Sequence, residues 1–184
     1  GETSSSINVT TGGTYSVQVT NPAGCLSTAS SPTIVTVNAL PAVPTITAGG
    51  PTTFCAGGSV TLTSSTENSY LWSTGETSAS INVTTAGSYT VQVTNAAGCQ
   101  STTSSSTIIT VNPAPAAPTI TAGGSTTFCA GGSVTLTSSA GNSYLWSTGA
   151  TTSSITATTA GSYTVQVTNP AGCLSTASTP TTLT

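Results

Sequence analysis

The chain repeats itself every 74 residues, and this limits its fold more than any other feature. Tyr15, Tyr89 and Tyr163 fall at that interval, as do Cys25, Cys99 and Cys173. Phe54 recurs as Phe128, Cys55 as Cys129 and Trp72 as Trp146, with no insertion between. A fixed period of this length marks an array of like modules, each burying its apolar face within itself or against a neighbour. Gly1 aligns with Gly75 and Gly149, in the middle of a module. The register therefore predicts the C-terminal half of a module over 1–40 and complete modules over 41–114 and 115–184. The mid-module start reads as a window onto a longer array, the half-module being completed in the same chain or by a neighbouring one. Function is to be sought in the array rather than in one pocket.

Two Pro-rich segments set the boundaries, 38–44 and 112–118. Proline fixes φ and disfavours helix in the residue before it, so both should be extended and stiff. Between them, apolar and polar residues alternate with period two, the mark of half-buried strands. Strands are expected over 44–47, 59–64, 69–73, 80–84, 88–94 and 107–111. Val60 and Leu62 share one face, as do Trp72 and Tyr70, Ile81 and Val83, and Tyr89, Val91 and Val93. Glycine-bearing turns separate the runs, and no helical period occurs. Six or seven short strands at this spacing predict an all-β fold of tandem β-sandwich modules with Greek-key connections.

Composition removes whole classes of function. The chain has no Lys, Arg or His, and its only charged side chains are Glu2, Glu67 and Glu76. Binding nucleic acid requires cations that displace counterions from phosphates. General acid–base catalysis draws on His, Asp, Glu or Lys, and the third repeat has none: Gly141 stands for Glu67 and Ala150 for Glu76. No enzyme activity, cofactor or metal site is expected. Ser and Thr dominate the chain, but the β-branched alternation and the fixed Cys and Trp positions argue for order rather than disorder. No run of apolar residues reaches the length of a membrane helix.

Five cysteines are an odd number. Cys55 and Cys99 fall in one module and Cys129 and Cys173 in the next, which predicts one bond inside each module. Cys25 matches Cys99 and is left unpaired, its counterpart falling upstream of Gly1. The alternative is reduced, buried thiols. A bond between Cys55 and Cys99 would pin one end of the sandwich, and closing such a loop contributes about 4 kcal/mol in the chain-entropy picture. Paired cysteines imply an oxidising compartment and so an extracellular protein.

Particular residues sharpen the fold. Tyr89 and Tyr163 occupy the place of the tyrosine that forms a corner in immunoglobulin domains, with Val91 where such domains carry a cysteine. Trp72 and Trp146 resemble the core tryptophan of those domains. The modules are therefore expected to be Ig-like, with Trp72, Tyr89, Trp146 and Tyr163 in the cores. The ordered set Cys-Ala-Gly-Gly-Ser-Val-Thr-Leu-Thr, Tyr-Leu-Trp-Ser-Thr-Gly, Gly-Ser-Tyr-Thr-Val-Gln-Val-Thr-Asn and Gly-Cys resembles the tandem Ig-like repeats of very large secreted, adhesin-type proteins of Bacteroidota, in the style of gliding-motility adhesins. That resemblance covers nearly the whole chain. It implies export and display at the cell surface, and fixes no ligand.

Few residues remain as candidate sites. Trp72 and Trp146 could stack on sugar, but their inward period assigns them to the core. Asn8 and Asn82 each open an Asn-Val-Thr glycosylation pattern, while the third repeat carries Thr156 there. The expected role is structural: disulfide-stapled modules giving reach and durability to an extracellular stalk or filament. Neighbouring modules and further copies of the chain are the expected partners, through lateral or end-to-end association. The rival readings are modules that bind glycan or other cells, and spacers of a secreted polysaccharide-degrading enzyme.

Overall fold

The computed structural model describes residues 2–184, which form only strands, turns and extended segments. The first 40 residues hold β1 (Gly13–Tyr15) and β2 (Thr33–Val35), paired antiparallel. A full set of strands follows: β3 (Ile46–Ala48), β4 (Thr53–Cys55), β5 (Val60–Ser64), β6 (Ser69–Trp72), β7 (Ser80–Val83), β8 (Gly87–Tyr89), β9 (Val91–Thr94) and β10 (Thr107–Asn112). The same order then recurs, without a counterpart of β4, as β11 (Ile120–Ala122), β12 (Val134–Ser138), β13 (Ser143–Trp146), β14 (Ser154–Ala157), β15 (Gly161–Tyr163), β16 (Val165–Thr168) and β17 (Thr181–Leu183).

Each complete module is an Ig-like β-sandwich. In the first, one sheet has the order β3-β5-β7, all antiparallel. The facing layer pairs β6 with β9 and β10 with both β8 and β4. β8 and β9 are one strand interrupted at Thr90, so this layer is continuous from β4 to β6. Val60, Leu62, Ile81 and Val83 of the first sheet pack on Trp72, Tyr89, Val91 and Ile109 of the second. Leu62 is fully buried and Val91 is 1% exposed, so aliphatic packing fills the space between the sheets. The next module repeats this core, with Leu136, Trp146, Tyr163, Val165 and Leu183. The alternation along β5, buried then exposed, is the sequence pattern made physical: successive side chains point to opposite faces.

Two hydrogen-bonding devices hold the layers. The Tyr89 hydroxyl donates to the Thr85 carbonyl at 2.9 Å, and Tyr163 does the same to Thr159, closing the tyrosine corner. The second device lies beside β9, where no strand is assigned over 101–106. Here serines replace a ladder. The Ser101 and Ser104 N–H groups donate to the Val93 and Val91 carbonyls. Their Oγ atoms accept from the N–H of the same two valines at 3.1 Å. Each hydroxyl then donates to the next carbonyl, of Thr102 or Ser105. The N–H and hydroxyl groups of these two buried serines are all used. Ser175 and Ser178 repeat the arrangement with Val167 and Val165. The spacing of three explains why a search for period two stops short of this segment.

The structure adds one strand to those expected. β4 lies parallel to β10, with Thr53 opposite Thr110 and Cys55 opposite Asn112. This single pairing decides where Cys55 sits, and the consequence appears below.

Residues 2–40 keep the β1–β2 pair and its corner, Tyr15 to Thr11 at 2.9 Å, but have no opposing sheet. Val17 and Val19 are 60% and 65% exposed, whereas their repeat mates Val91 and Val93 are each 1% exposed.

Candidate functional site

The site with the most built-in geometry is the junction between the two complete modules. It starts from a five-residue turn, Asn169-Pro-Ala-Gly-Cys173, that follows β16. The turn closes because the Asn169 N–H donates to the Cys173 carbonyl at 3.1 Å, and the Gly172 N–H to the Asn169 carbonyl at 3.0 Å. Gly172 takes φ of 79°, a left-handed conformation that a residue with a Cβ adopts only at a cost. The Asn169 side chain does two jobs. Its Oδ1 accepts from the Cys173 N–H at 3.0 Å. Its Nδ2 donates to the Pro113 carbonyl in the Pro-rich linker at 2.9 Å. The turn thus grips the segment through which the chain enters its own module.

Cys173 then meets Cys55 of the preceding module. The two are joined as a disulfide, with Cα atoms 5.5 Å apart and a separation of 118 in sequence. Asn112 ties the parts together. Its carbonyl accepts from the Ala56 N–H at 2.9 Å, and the Cys173 sulfur lies 3.9 Å from the same oxygen. That sulfur contact is packing, since a disulfide sulfur has no proton to donate. The bond bridges the exit end of one sandwich and the entry end of the next, across the linker.

This corrects the expected pairing inside each module. Cys55 is bonded to Cys173, while Cys99 and Cys129 are free thiols, as is Cys25. The physical reason is β4. Running parallel to β10, it carries Cys55 to the end where the chain leaves the module, opposite Asn112. Cys99 sits at the other end, its Sγ 3.9 Å from the carbonyl of Asn38, where the chain enters. The two cysteines of one module lie at opposite poles of the sandwich. A bond between them would require the sandwich to be dismantled.

The remaining candidates fall elsewhere. Trp72 and Trp146 are each 2% exposed, with Nε1 donating at 2.8 Å to the carbonyls of Ser78 and Thr152. Neither presents a ring face to a sugar. Tyr89 and Tyr163 are buried at 6% and 7% exposure. Tyr70 and Tyr144 are half-buried, their hydroxyls engaged by the backbone at Glu67 and Gly141. Phe54 and Phe128 pack against the rims of the cores. Asn8 and Asn82 are exposed, Asn82 from the outer face of β7. Glu76 accepts from Thr74 Oγ1 at 2.8 Å on an open surface. Among the described residues no three His, Cys, Asp or Glu side chains gather to hold a metal ion. A shallow cleft of about 350 Å³ runs along the linker, between Pro115 and Pro118 on one wall and Asn142, Asn169 and Pro170 on the other. It belongs to the junction.

Sequence reading missed the role of the Asn in Asn-x-Ala-Gly-Cys. The signal was present: the motif occurs at 21–25, 95–99 and 169–173. Asparagine accepts from the backbone two to four residues on and so favours such turns, but the linker carbonyl it grips is 56 residues away.

No protein-family model matches the chain, and no curated protein does. Among solved structures, the human OSCAR ligand-binding domain is 15% identical with a TM-score of 0.35, over 79% of this chain and 100% of that one. A chain of the mouse coronavirus receptor-binding domain complexed with its murine receptor is 15% identical with a TM-score of 0.39, over 77% of this chain and 98% of that one. Neither likeness bears on ligand or partner. What stands is an all-β chain of Ig-like sandwiches carrying one disulfide between modules, with no helix among the described residues that could cross a membrane.

Proposed function

We propose that the chain is a non-enzymatic structural segment of an extracellular stalk or filament, whose modules provide reach and resistance to extension. The observation that carries this reading is the junction. A flexible string of binding domains needs no bond across its linkers, whereas a load-bearing one gains from it. Here the Pro-rich linker is gripped by Asn169 and bypassed by Cys55–Cys173. Pulling the two modules apart then loads the disulfide rather than the linker.

Composition supports the same role. Without Lys or Arg the chain offers no site to trypsin-like proteases, and with three acidic residues it carries little charge to hold copies apart. Leu71, Leu145 and Ile108 are exposed at 44%, 46% and 67%, and provide apolar area for lateral contact between copies. The resemblance to surface repeats of Bacteroidota fits display outside the cell. The glycan-binding alternative finds no support in the tryptophans, which are buried.

Single-molecule force spectroscopy tests the proposal. Stretched between Glu2 and Thr184 under oxidising conditions, the chain should release only length outside the Cys55–Cys173 loop. Added reductant should restore the full unfolding of both modules. Unfolding lengths that do not change with reductant would overturn the load-bearing role.

A further inference from the structure

The turn that seats Cys173 has a counterpart in the same chain whose sulfur is unbonded. At the bonded seat, the Cys173 N–H donates to Asn169 Oδ1 at 3.0 Å. Asn169 Nδ2 donates to the Pro113 carbonyl at 2.9 Å, and the Cys173 sulfur lies 3.9 Å from the Asn112 carbonyl. At the unbonded seat, the Cys99 N–H donates to Asn95 Oδ1 at 3.0 Å. Asn95 Nδ2 donates to the Ala39 carbonyl at 2.9 Å, and Cys99 Sγ lies 3.9 Å from the Asn38 carbonyl. The distances agree, so the seat takes its shape whether or not its sulfur is bonded. The asparagine turn, not the disulfide, makes the geometry.

Cys55 reaches the same place from the other module. It lies opposite Asn112 in the pairing of β4 with β10, and the Ala56 N–H donates to the Asn112 carbonyl at 2.9 Å. Two consecutive linker residues are thus gripped from opposite sides. Asn112 is held by the strand that carries Cys55, and Pro113 by the residue that opens the Cys173 turn. Without the second grip, the module that carries Cys173 hangs on the extended segment 114–118, which spans about 3 Å per residue. The bond needs the two Cα atoms 5.5 Å apart.

We propose that Asn169 is a positioning residue for the disulfide. By holding the Pro113 carbonyl it seats Cys173 against Cys55 before the sulfurs join, and so sets how firmly the pair stays oxidised. The step is thiol–disulfide exchange. The thiolate of Cys55, the less buried of the two, attacks oxidised glutathione, forms a mixed disulfide and releases one glutathione thiolate. The seated Cys173 thiolate then attacks the Cys55 sulfur and expels the second. Two cysteine thiols lose two protons and two electrons, and one glutathione disulfide becomes two thiols. Asn169 acts on the second attack, where the effective concentration of Cys173 at Cys55 decides the outcome. By linkage, the bond strengthens the Asn169 grip by the same factor.

The full 184-residue chain is compared with Asn169→Ala, Asn169→Asp and Asn95→Ala in glutathione buffers of graded ratio. Quenched samples are alkylated and digested with pepsin, and mass spectrometry gives the fraction of Cys55 joined to Cys173. Asn169→Ala should make the bond about fivefold easier to reduce, the factor that one hydrogen bond of ordinary net strength supplies. Asn169→Asp keeps the acceptor for the Cys173 N–H but has no donor for the Pro113 carbonyl. It should shift the equilibrium at least as far with the turn intact. Asn95→Ala removes the same turn from the unbonded seat and should leave the equilibrium unchanged. In a linked readout, Asn169→Asp should raise the unfolding constant of the oxidised chain about fivefold more than it does in a Cys173→Ser background. A parental glutathione equilibrium for Asn169→Asp would overturn the proposal. So would equal shifts for Asn169→Ala and Asn95→Ala, the pattern of a turn that merely stabilises its module. The measurement reads the equilibrium of the bond and does not depend on whether the chain bears load.

Discussion

Replacing Cys173 by Ser isolates the junction energetically. If the module over 115–184 unfolds while its neighbour stays folded, the bond holds Cys173 beside Asn112, and the closed loop spans 61 residues. The chain-entropy relation gives about 4 kcal/mol for such a loop. If both modules unfold together the loop spans 118 residues, and the figure rises to about 5 kcal/mol. For a module of this size a loss of 4 kcal/mol lowers the melting temperature by about 20 °C. The assay is urea and thermal unfolding followed by tryptophan fluorescence, with Trp72→Phe as background so that buried Trp146 reports its own module. Cys99→Ser is the decisive comparison. Cys99 is unbonded, and its replacement should change stability by less than about 0.5 kcal/mol. Reductant should bring the parent down to the Cys173→Ser curve and leave that variant unmoved. Equal losses for Cys99→Ser and Cys173→Ser would refute the reasoning, because they would mean that bonds form inside modules. A Cys173→Ser curve identical to the oxidised parent would refute it as well.

Three further outcomes follow from neighbouring contacts. Ser178→Ala removes the acceptor for the buried Val165 N–H and should cost about 1–3 kcal/mol, whereas Ser138→Ala removes a buried hydroxyl that has no partner and should be neutral or stabilising; paired urea titrations separate the two. Tyr163→Phe deletes the bond to the Thr159 carbonyl and should lower stability by about 1–2 kcal/mol, read from the midpoint of the same titration at unchanged slope. Gly141→Ala places a Cβ 2.6 Å from that of Val167 and should cost about 1–3 kcal/mol by overpacking, measured by calorimetry, although Glu occupies the matching position 67.

Much of the fold was written in local pattern. Alternation placed β5, β6, β7 and the strand formed by β8 and β9 within a residue or two, because a strand with one buried face must alternate. The place of Tyr89, two residues before the Val91 that stands where immunoglobulin domains carry a cysteine, marked the corner, and the inward period of Trp72 marked the core. β4 escaped because three residues at a sheet edge carry too little alternation to stand out. The serine ladder escaped because its partners are spaced by three and its backbone groups pair with a strand eight to thirteen residues away.

The cysteines separate what each level decides. The 74-residue period determined that the thiols fall in two equivalent classes and that the modules share one core, and composition determined that only three side chains are charged. It could not choose a partner, because a spacing of 44 inside a module and one of 118 across a junction keep the same register. The tertiary structure made the choice. Parallel pairing of β4 with β10 sends Cys55 to the exit pole, and the Asn169 turn holds Cys173 at the facing entry pole. A disulfide forms only between sulfurs brought within reach, and the fold determines which sulfurs those are.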